Sequence, residues 1–156
     1  MSNVHARNRK PSKVMKFLRP KRIYDKFVFL ASVKRTAYFR EQERNAYNVM
    51  INNVLDVISI TSYLYSQVCH PKKSLKIYQS IIDMCENSIA LIEANVQILQ
   101  TILTNRRSDL ERISSGRKII NAYMELIEMH VDEKTELKRY RKSYVEKHKK
   151  LLAKQK

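Results

Sequence analysis

Near the end of the chain an arginine, Arg141, and a histidine, His148, stand with six residues between them. Arginine is a residue type that can hold a phosphate, and histidine one that can exchange a proton near neutral pH. The run that contains them, from Lys138 onward, is rich in lysine and produces this spacing without any catalytic partner. No carboxylate pair, Ser-His-Asp set or acidic metal cluster stands out elsewhere. Cys69, His70 and Cys85 are the other reactive types. Two thiols and one adjacent histidine fall short of the paired, closely spaced ligands that zinc uses. Cys85 also sits inside an apolar stripe, where a free cysteine packs as a small hydrophobe. No metal and no cofactor are expected, and His130, one turn beyond Ile127, reads as a half-buried structural residue.

Charge is the stronger signal. The 156 residues carry 31 Lys and Arg against 15 Asp and Glu, a net charge of +16. Residues 1–44 hold 13 basic and 3 acidic side chains, residues 45–133 hold 8 and 10, and residues 134–156 hold 10 and 2. The middle is close to neutral and the two ends carry the excess. A polarised distribution of this kind describes a docking face for a phosphate polymer better than a general solubility device.

The elements that must position these groups are helices. One glycine and three prolines in the whole chain exclude glycine-rich phosphate loops and dinucleotide fingerprints, and leave no Asn-Gly or Asp-Gly hairpin. No apolar run approaches the roughly eighteen residues needed to cross a bilayer, and no secretory signal is visible, so a cytoplasmic protein without a membrane partner is expected. Residues 1–11 read as a disordered basic arm. Ser12 is placed as the N-cap of a first helix over about 13–38, with Pro20 either kinking it or marking its true start. Phe27-Val28-Phe29-Leu30 has no clear period and also fits a buried strand, and the polar knot Arg40-Glu41-Gln42-Glu43-Arg44 either breaks the chain or is the solvated middle of one very long helix.

The second helix, over about 43–69, carries Tyr47, Ile51, Val54, Ile58, Thr61, Tyr65 and Val68 at helical spacing and ends at His70-Pro71. The third opens at Lys73 or Ser74 and carries two stripes. One is Leu75, Tyr78, Ile82, Cys85, Ile89, Ile92, Val96, Leu99 and Leu103. The other is Ile77, Ile81, Met84, Leu91, Ile98 and Ile102, interrupted by Ser88 and Asn95. Two seams exceed what a two-stranded coiled coil uses, so this helix is either buried in a bundle or, the reading favoured here, offers its second stripe to a second copy or another partner. Asn105-Arg106-Arg107-Ser108 is expected to break the chain, with Ser108 and Glu111 as a capping box for the fourth helix. Gly116 would weaken that helix locally. Beyond residue 133 the apolar pattern thins into a basic helical extension.

An up-down-up-down bundle of four such helices, spanning residues 12–133, gathers three basic clusters at one pole. They are Lys13, Lys16, Arg19, Lys21 and Arg22; Lys72, Lys73 and Lys76; and Lys138, Arg139, Arg141 and Lys142. With Arg7, Arg9 and Lys10 of the arm they form the expected nucleic-acid surface; Tyr140 and Tyr144 could stack on unpaired bases there, although tyrosine at helical spacing more often packs at a rim. The opposite pole, with Arg40, Glu41, Glu43, Arg44, Arg106, Arg107 and Asp109, is mixed.

Several residues carry a family resemblance. They are Arg7-Asn8-Arg9-Lys10-Pro11-Ser12-Lys13, then Pro71 and its basic loop leading to Tyr78-Gln79 and Cys85-Glu86, then Tyr123 and Lys138-Arg139-Tyr140-Arg141-Lys142. Together they resemble the accessory variability determinant (Avd) proteins of diversity-generating retroelements. The resemblance covers the arm and, loosely, residues 71–142, and residues 13–38 have no counterpart in it. It implies a non-enzymatic four-helix bundle that forms a homo-pentamer and binds the element's reverse transcriptase and template RNA or cDNA. Arg141 and His148 separately match the loose Arg-x(4–6)-His pattern of HEPN-type ribonucleases, although Lys142 stands where those enzymes carry a polar amide. The reading drawn from the sequence is an all-α, self-associating, non-enzymatic accessory that binds nucleic acid without sequence specificity. The alternatives are a helical scaffold with solubilising basic tails and a HEPN-like ribonuclease.

Overall fold

The structure, a computed structural model, describes residues 18–34 and 41–155. Within them the chain forms four helices and no strand: α1 (Pro20–Lys34), α2 (Glu41–Val68), α3 (Leu75–Glu111) and α4 (Gly116–Lys154). The arm at 1–11, the Ser12 cap, Lys13, Lys16, Arg40 and the ends expected for the first helix lie outside the described residues.

Pro20 is the start of α1 and not a kink within it. A proline at the first helical position loses no hydrogen bond, and its fixed φ suits the helix. Ile23, Phe27 and Leu30 are buried while Val28 and Phe29 face outward, so the apolar run that also fitted a strand is one helical face. The Phe27 and Tyr47 rings meet edge to face at 5.8 Å, and the Tyr47 hydroxyl donates to Phe27 O at 3.0 Å. Twenty residues of unbroken helix would hold these positions about 30 Å apart. The chain therefore reverses between α1 and α2.

Each helix packs on two neighbours. α1 and α3 each touch α2 and α4, and the diagonal pairs α1/α3 and α2/α4 make no close backbone contact. Links from Glu43 to Arg106 and Asn53 to Asn95 run antiparallel between α2 and α3. Links from Glu93 to Lys134 and Glu86 to Arg141 do the same between α3 and α4.

The expected break at Asn105–Ser108 and its capping box are not found. α3 continues to Glu111 because Arg106 and Leu110 both turn into the protein, Arg106 pairing with Glu43 and Leu110 joining the core. The polar run reads as a loop in sequence but is a helix with one buried charged face. The true turn is residues 112–115, and Gly116 opens α4 rather than interrupting it.

The core has two parts. One joins Ile23, Phe27 and Leu30 of α1 to Met50 and Val54, Leu99 and Leu110, and Ile119, Ile120, Tyr123 and Leu126, so all four helices contribute. The other joins Val57 and Leu64 to Tyr78, Ile81, Cys85 and Ile92, and to Leu137, Tyr140 and Tyr144, with Leu18 as its contribution from the start of α1. α1 has 15 residues and α4 has 39. At 1.5 Å per residue, α1 therefore covers well under half the length of α4.

Candidate nucleic-acid interface

The turn between α2 and α3 is fixed by its own backbone and side chains. Lys72 N–H donates to His70 Nδ1 at 3.1 Å, and Lys73 Nζ donates to Val68 O at 3.2 Å, where a cation offsets the negative end of α2. Ser74 caps α3 by accepting from Ile77 N–H at 3.2 Å. Lys72, Lys73 and Lys76 are all exposed on this turn and its first helical residues.

The end of α4 lies beside it. Tyr144 packs on Tyr78 with ring centroids 5.8 Å apart, and the Lys147 ammonium lies 4.4 Å from the Tyr144 ring centre. Partial burial pushes the Lys147 pKa down, and the neighbouring charge of Lys73 adds to the effect. Residues 152–155 are exposed, past the level of the turn.

Ion pairing sorts the basic side chains. Arg139 pairs with Glu136 at 3.1 Å and Arg141 with Glu86 at 3.0 Å, so the positive charge of each has an acidic partner. Among the described residues, Lys72, Lys73, Lys76, Lys138, Lys142, Lys147, Lys149, Lys150 and Lys154 form no ion pair. Lys21, Arg112, Arg117 and Lys118 form none either, so unpaired positive charge is densest on the α2–α3 turn and the last five turns of α4 without being confined to them.

The turn carrying Lys72, Lys73 and Lys76 meets α4 at Tyr144 and Lys147, just beyond the expected cluster of Lys138, Arg139, Arg141 and Lys142. Arg19, Lys21 and Arg22 lie at the level of Glu133 instead, because α1 starts only at Pro20. Five residues of α4, about 8 Å along the helix, separate that level from Lys138, and fourteen, about 20 Å, separate it from Lys147.

Tyr140 and Tyr144 are 6% and 5% exposed and belong to the core, so neither offers a ring face to a base. The six residues of the second α3 stripe divide. Ile81 and Ile102 are buried within the chain, while Ile77, Met84, Leu91 and Ile98 are half-buried against the same core. Arg141 and His148 both lie on α4, about 10 Å apart along its axis, with the arginine engaged by Glu86. Cys69 is exposed at the end of α2 and Cys85 is buried. Burial pushes the Cys85 thiol up to about 12, the nearby Arg141 charge opposing and Glu86 adding to the shift. No group of three His, Cys, Asp or Glu among the described residues is arranged to hold a metal, and no helix is long and apolar enough to cross a membrane.

Between the two core regions lies polar machinery that the sequence did not reveal. Asn95 Nδ2 donates to Met50 O at 3.1 Å and lies 3.1 Å from His130 Nε2, while its Oδ1 accepts from Asn53 Nδ2 at 2.8 Å. His130 Nδ1 is 2.6 Å from Leu126 O. A carbonyl can only accept, so the proton sits on Nδ1 and Nε2 accepts from Asn95. Phe27 completes the node with its ring edge against the imidazole at 5.8 Å. All four helices meet there. Burial drives the His130 pKa down to about 4, the Leu126 hydrogen bond opposing the shift.

One turn further along α4, Glu133 is fully buried. Its Oε1 accepts from Arg19 N–H at 3.1 Å and lies 3.9 Å from an Arg22 guanidinium nitrogen. α1 has no acidic residue in its own first turn, and Glu133 supplies from across the bundle a hydrogen-bond acceptor for its N-terminal end. The signal for the node was the interruption of the apolar stripe at Asn95. Glu133, inside an acidic-looking Asp132-Glu133-Lys134 run, gave none.

Comparison with protein-family models, with curated proteins and with solved structures finds no match. Fold and surface define a class only: an all-helical chain with a net charge of +16, with lysines unpaired at one end.

Proposed function

We propose that this chain is a non-enzymatic nucleic-acid-binding protein that grips the phosphate backbone without reading sequence. The observation that supports this is the set of lysines on the α2–α3 turn and the end of α4 that no carboxylate neutralises. Affinity would come from counterions released as these ammonium groups meet phosphates. The further role, positioning template RNA or cDNA for a reverse transcriptase in a diversity-generating retroelement, rests on the resemblance of the basic arm and residues 71–142 to Avd proteins. Self-association in that role would use Ile77, Met84, Leu91 and Ile98, the half-buried members of the second stripe.

The test is the salt dependence of binding to a labelled oligonucleotide. Log affinity is expected to fall linearly with log salt concentration. Changing Lys72, Lys76 and Lys150 together to glutamine is expected to flatten that slope by roughly 2, since each lost phosphate contact removes about 0.7–0.9. All three are exposed, so the helical content should be unchanged. Absence of saturable binding at low salt, or a slope that the triple variant leaves as it was, would favour a scaffold whose lysines serve solubility.

A further inference from the structure

We infer that the polymer held by the end of α4 is double-stranded. This rests on the phosphate-binding reading above and narrows its substrate. Proteins that hold single strands join a basic groove to exposed aromatic rings on which bases stack. Both tyrosines of the lysine-rich stretch, Tyr140 and Tyr144, are buried here, and Lys147 covers part of the Tyr144 ring. The most exposed aromatic among the described residues, Tyr63, stands on α2, diagonally across the bundle from α4. The lysine-rich stretch of α4 therefore has charge and no exposed aromatic ring on which a base could stack.

The placement of the charge fits a duplex. Lys138, Lys142 and Lys149 fall within about 40° of one another around α4 and follow at steps of about 6 Å and 10 Å. Lys147, Lys150 and Lys154 form a second row, roughly 130° away around the helix at 100° per residue. Glu146 is the one acidic residue between Lys138 and Lys154. A helix with its side chains is about 10–12 Å across, close to the roughly 12 Å width of the major groove of B-form DNA. With one row against each phosphate strand, the end of α4 would lie in such a groove. A single strand would engage only one row.

The experiment measures fluorescence anisotropy of a labelled 20-base-pair DNA duplex and of its own single strand over a salt series, with the full chain. The duplex is expected to bind at least about ten-fold more tightly and with the steeper salt slope. Changing Lys138, Lys142 and Lys149 to glutamine should reduce that slope by close to three phosphate contacts, about 2.7, for the duplex. Circular dichroism would verify that this surface variant remains helical. A single strand bound as tightly as the duplex, or a duplex slope indifferent to the triple change, would overturn the inference while leaving phosphate binding intact. Failure of both polymers to bind would sink the parent reading along with it.

Discussion

Gly116→Ala is expected to lower the stability of the protein by about 3 kcal/mol or more, above the usual range for a single substitution. The reason is space and not backbone freedom, since the glycine does not adopt a positive φ. A methyl group at this position would fall 1.4 Å from Leu110 O, 2.5 Å from Leu110 C and 3.2 Å from Ile113 Cγ1. Two of those atoms are backbone and cannot swing aside. Leu110 is 1% exposed, and Ile119 and Ile120 follow one turn into α4, so relief requires prising the α3–α4 corner off the core. Ser115→Ala, one residue earlier, is the control. Ser115 makes no capping hydrogen bond, so its change should stay within about 0.5 kcal/mol. Chemical denaturation of both variants decides the matter. An unchanged midpoint for the glycine variant would mean that the corner is not packed as described.

At that corner the pattern of residues is a poor guide to the helix ends, and the reason is physical. A run such as Asn105-Arg106-Arg107-Ser108 looks like a loop because four polar residues in a row interrupt an apolar period. Period analysis cannot see that Arg106 has a buried partner 63 positions away, at Glu43, and so keeps the helix on course to Leu110. Where helix ends depend on local chemistry alone, the sequence was sufficient. Ser74 caps α3, and Pro71 stops α2 from extending. α2 and most of α3 were legible because their apolar periods are long and glycine is nearly absent, whereas α1 offered no clear period.

The candidate site was legible in its charge and not in its exposure. The concentration of lysine beyond residue 134 is visible from composition. Which of those charges remain unpaired depends on cross-helix neighbours such as Glu86, and no spacing rule foretells those. Tyr140 and Tyr144 illustrate the same limit. Tyrosine among arginines and lysines suggests a wet surface, yet both rings continue the buried line begun by Leu137. Of the α2 stripe, Val54 lies at the centre of the packed face with Met50, Val57 and Leu64, whereas Tyr47, Ile51, Ile58, Thr61, Tyr65 and Val68 mark its flank. A wide apolar arc identifies a buried helix but leaves the direction of deepest burial to the neighbouring helices.

Replacing Glu133 by glutamine should stabilise the protein at pH 8 and make much less difference at pH 4. Burial raises the Glu133 pKa from 4.5 to about 7, and this outweighs the opposing Arg19 N–H and the charges of Arg22 and Arg19, with Glu136 adding to the rise. The folded state then holds a proton that the unfolded chain releases above 4.5. Its contribution to stability is complete below 4.5 and is lost as pH rises through about 7. His130 runs the other way. With its pKa pushed from 6.5 down to about 4, its contribution is present above 6.5 and lost as pH falls through about 4. Between about 4.5 and 6.5 the two slopes oppose and largely cancel, so the parent hides both. Glutamine keeps the oxygen that accepts from Arg19 but cannot ionise, which removes one slope and leaves the other. The difference in stability between variant and parent should grow by about 3 kcal/mol from pH 4 to pH 8, at 1.36 kcal/mol per pKa unit. At roughly 2–4 °C per kcal/mol, the relative shift in Tm is about 6–12 °C. All other titrating groups drop out of that difference, so two melting curves for each protein suffice. A difference independent of pH would mean that Arg22 and the end of α1 hold Glu133 ionised in the folded protein. α1 would then be anchored by a charge pair and not, as its burial indicates, by a neutral acid beside a polar node that depends on His130 staying uncharged.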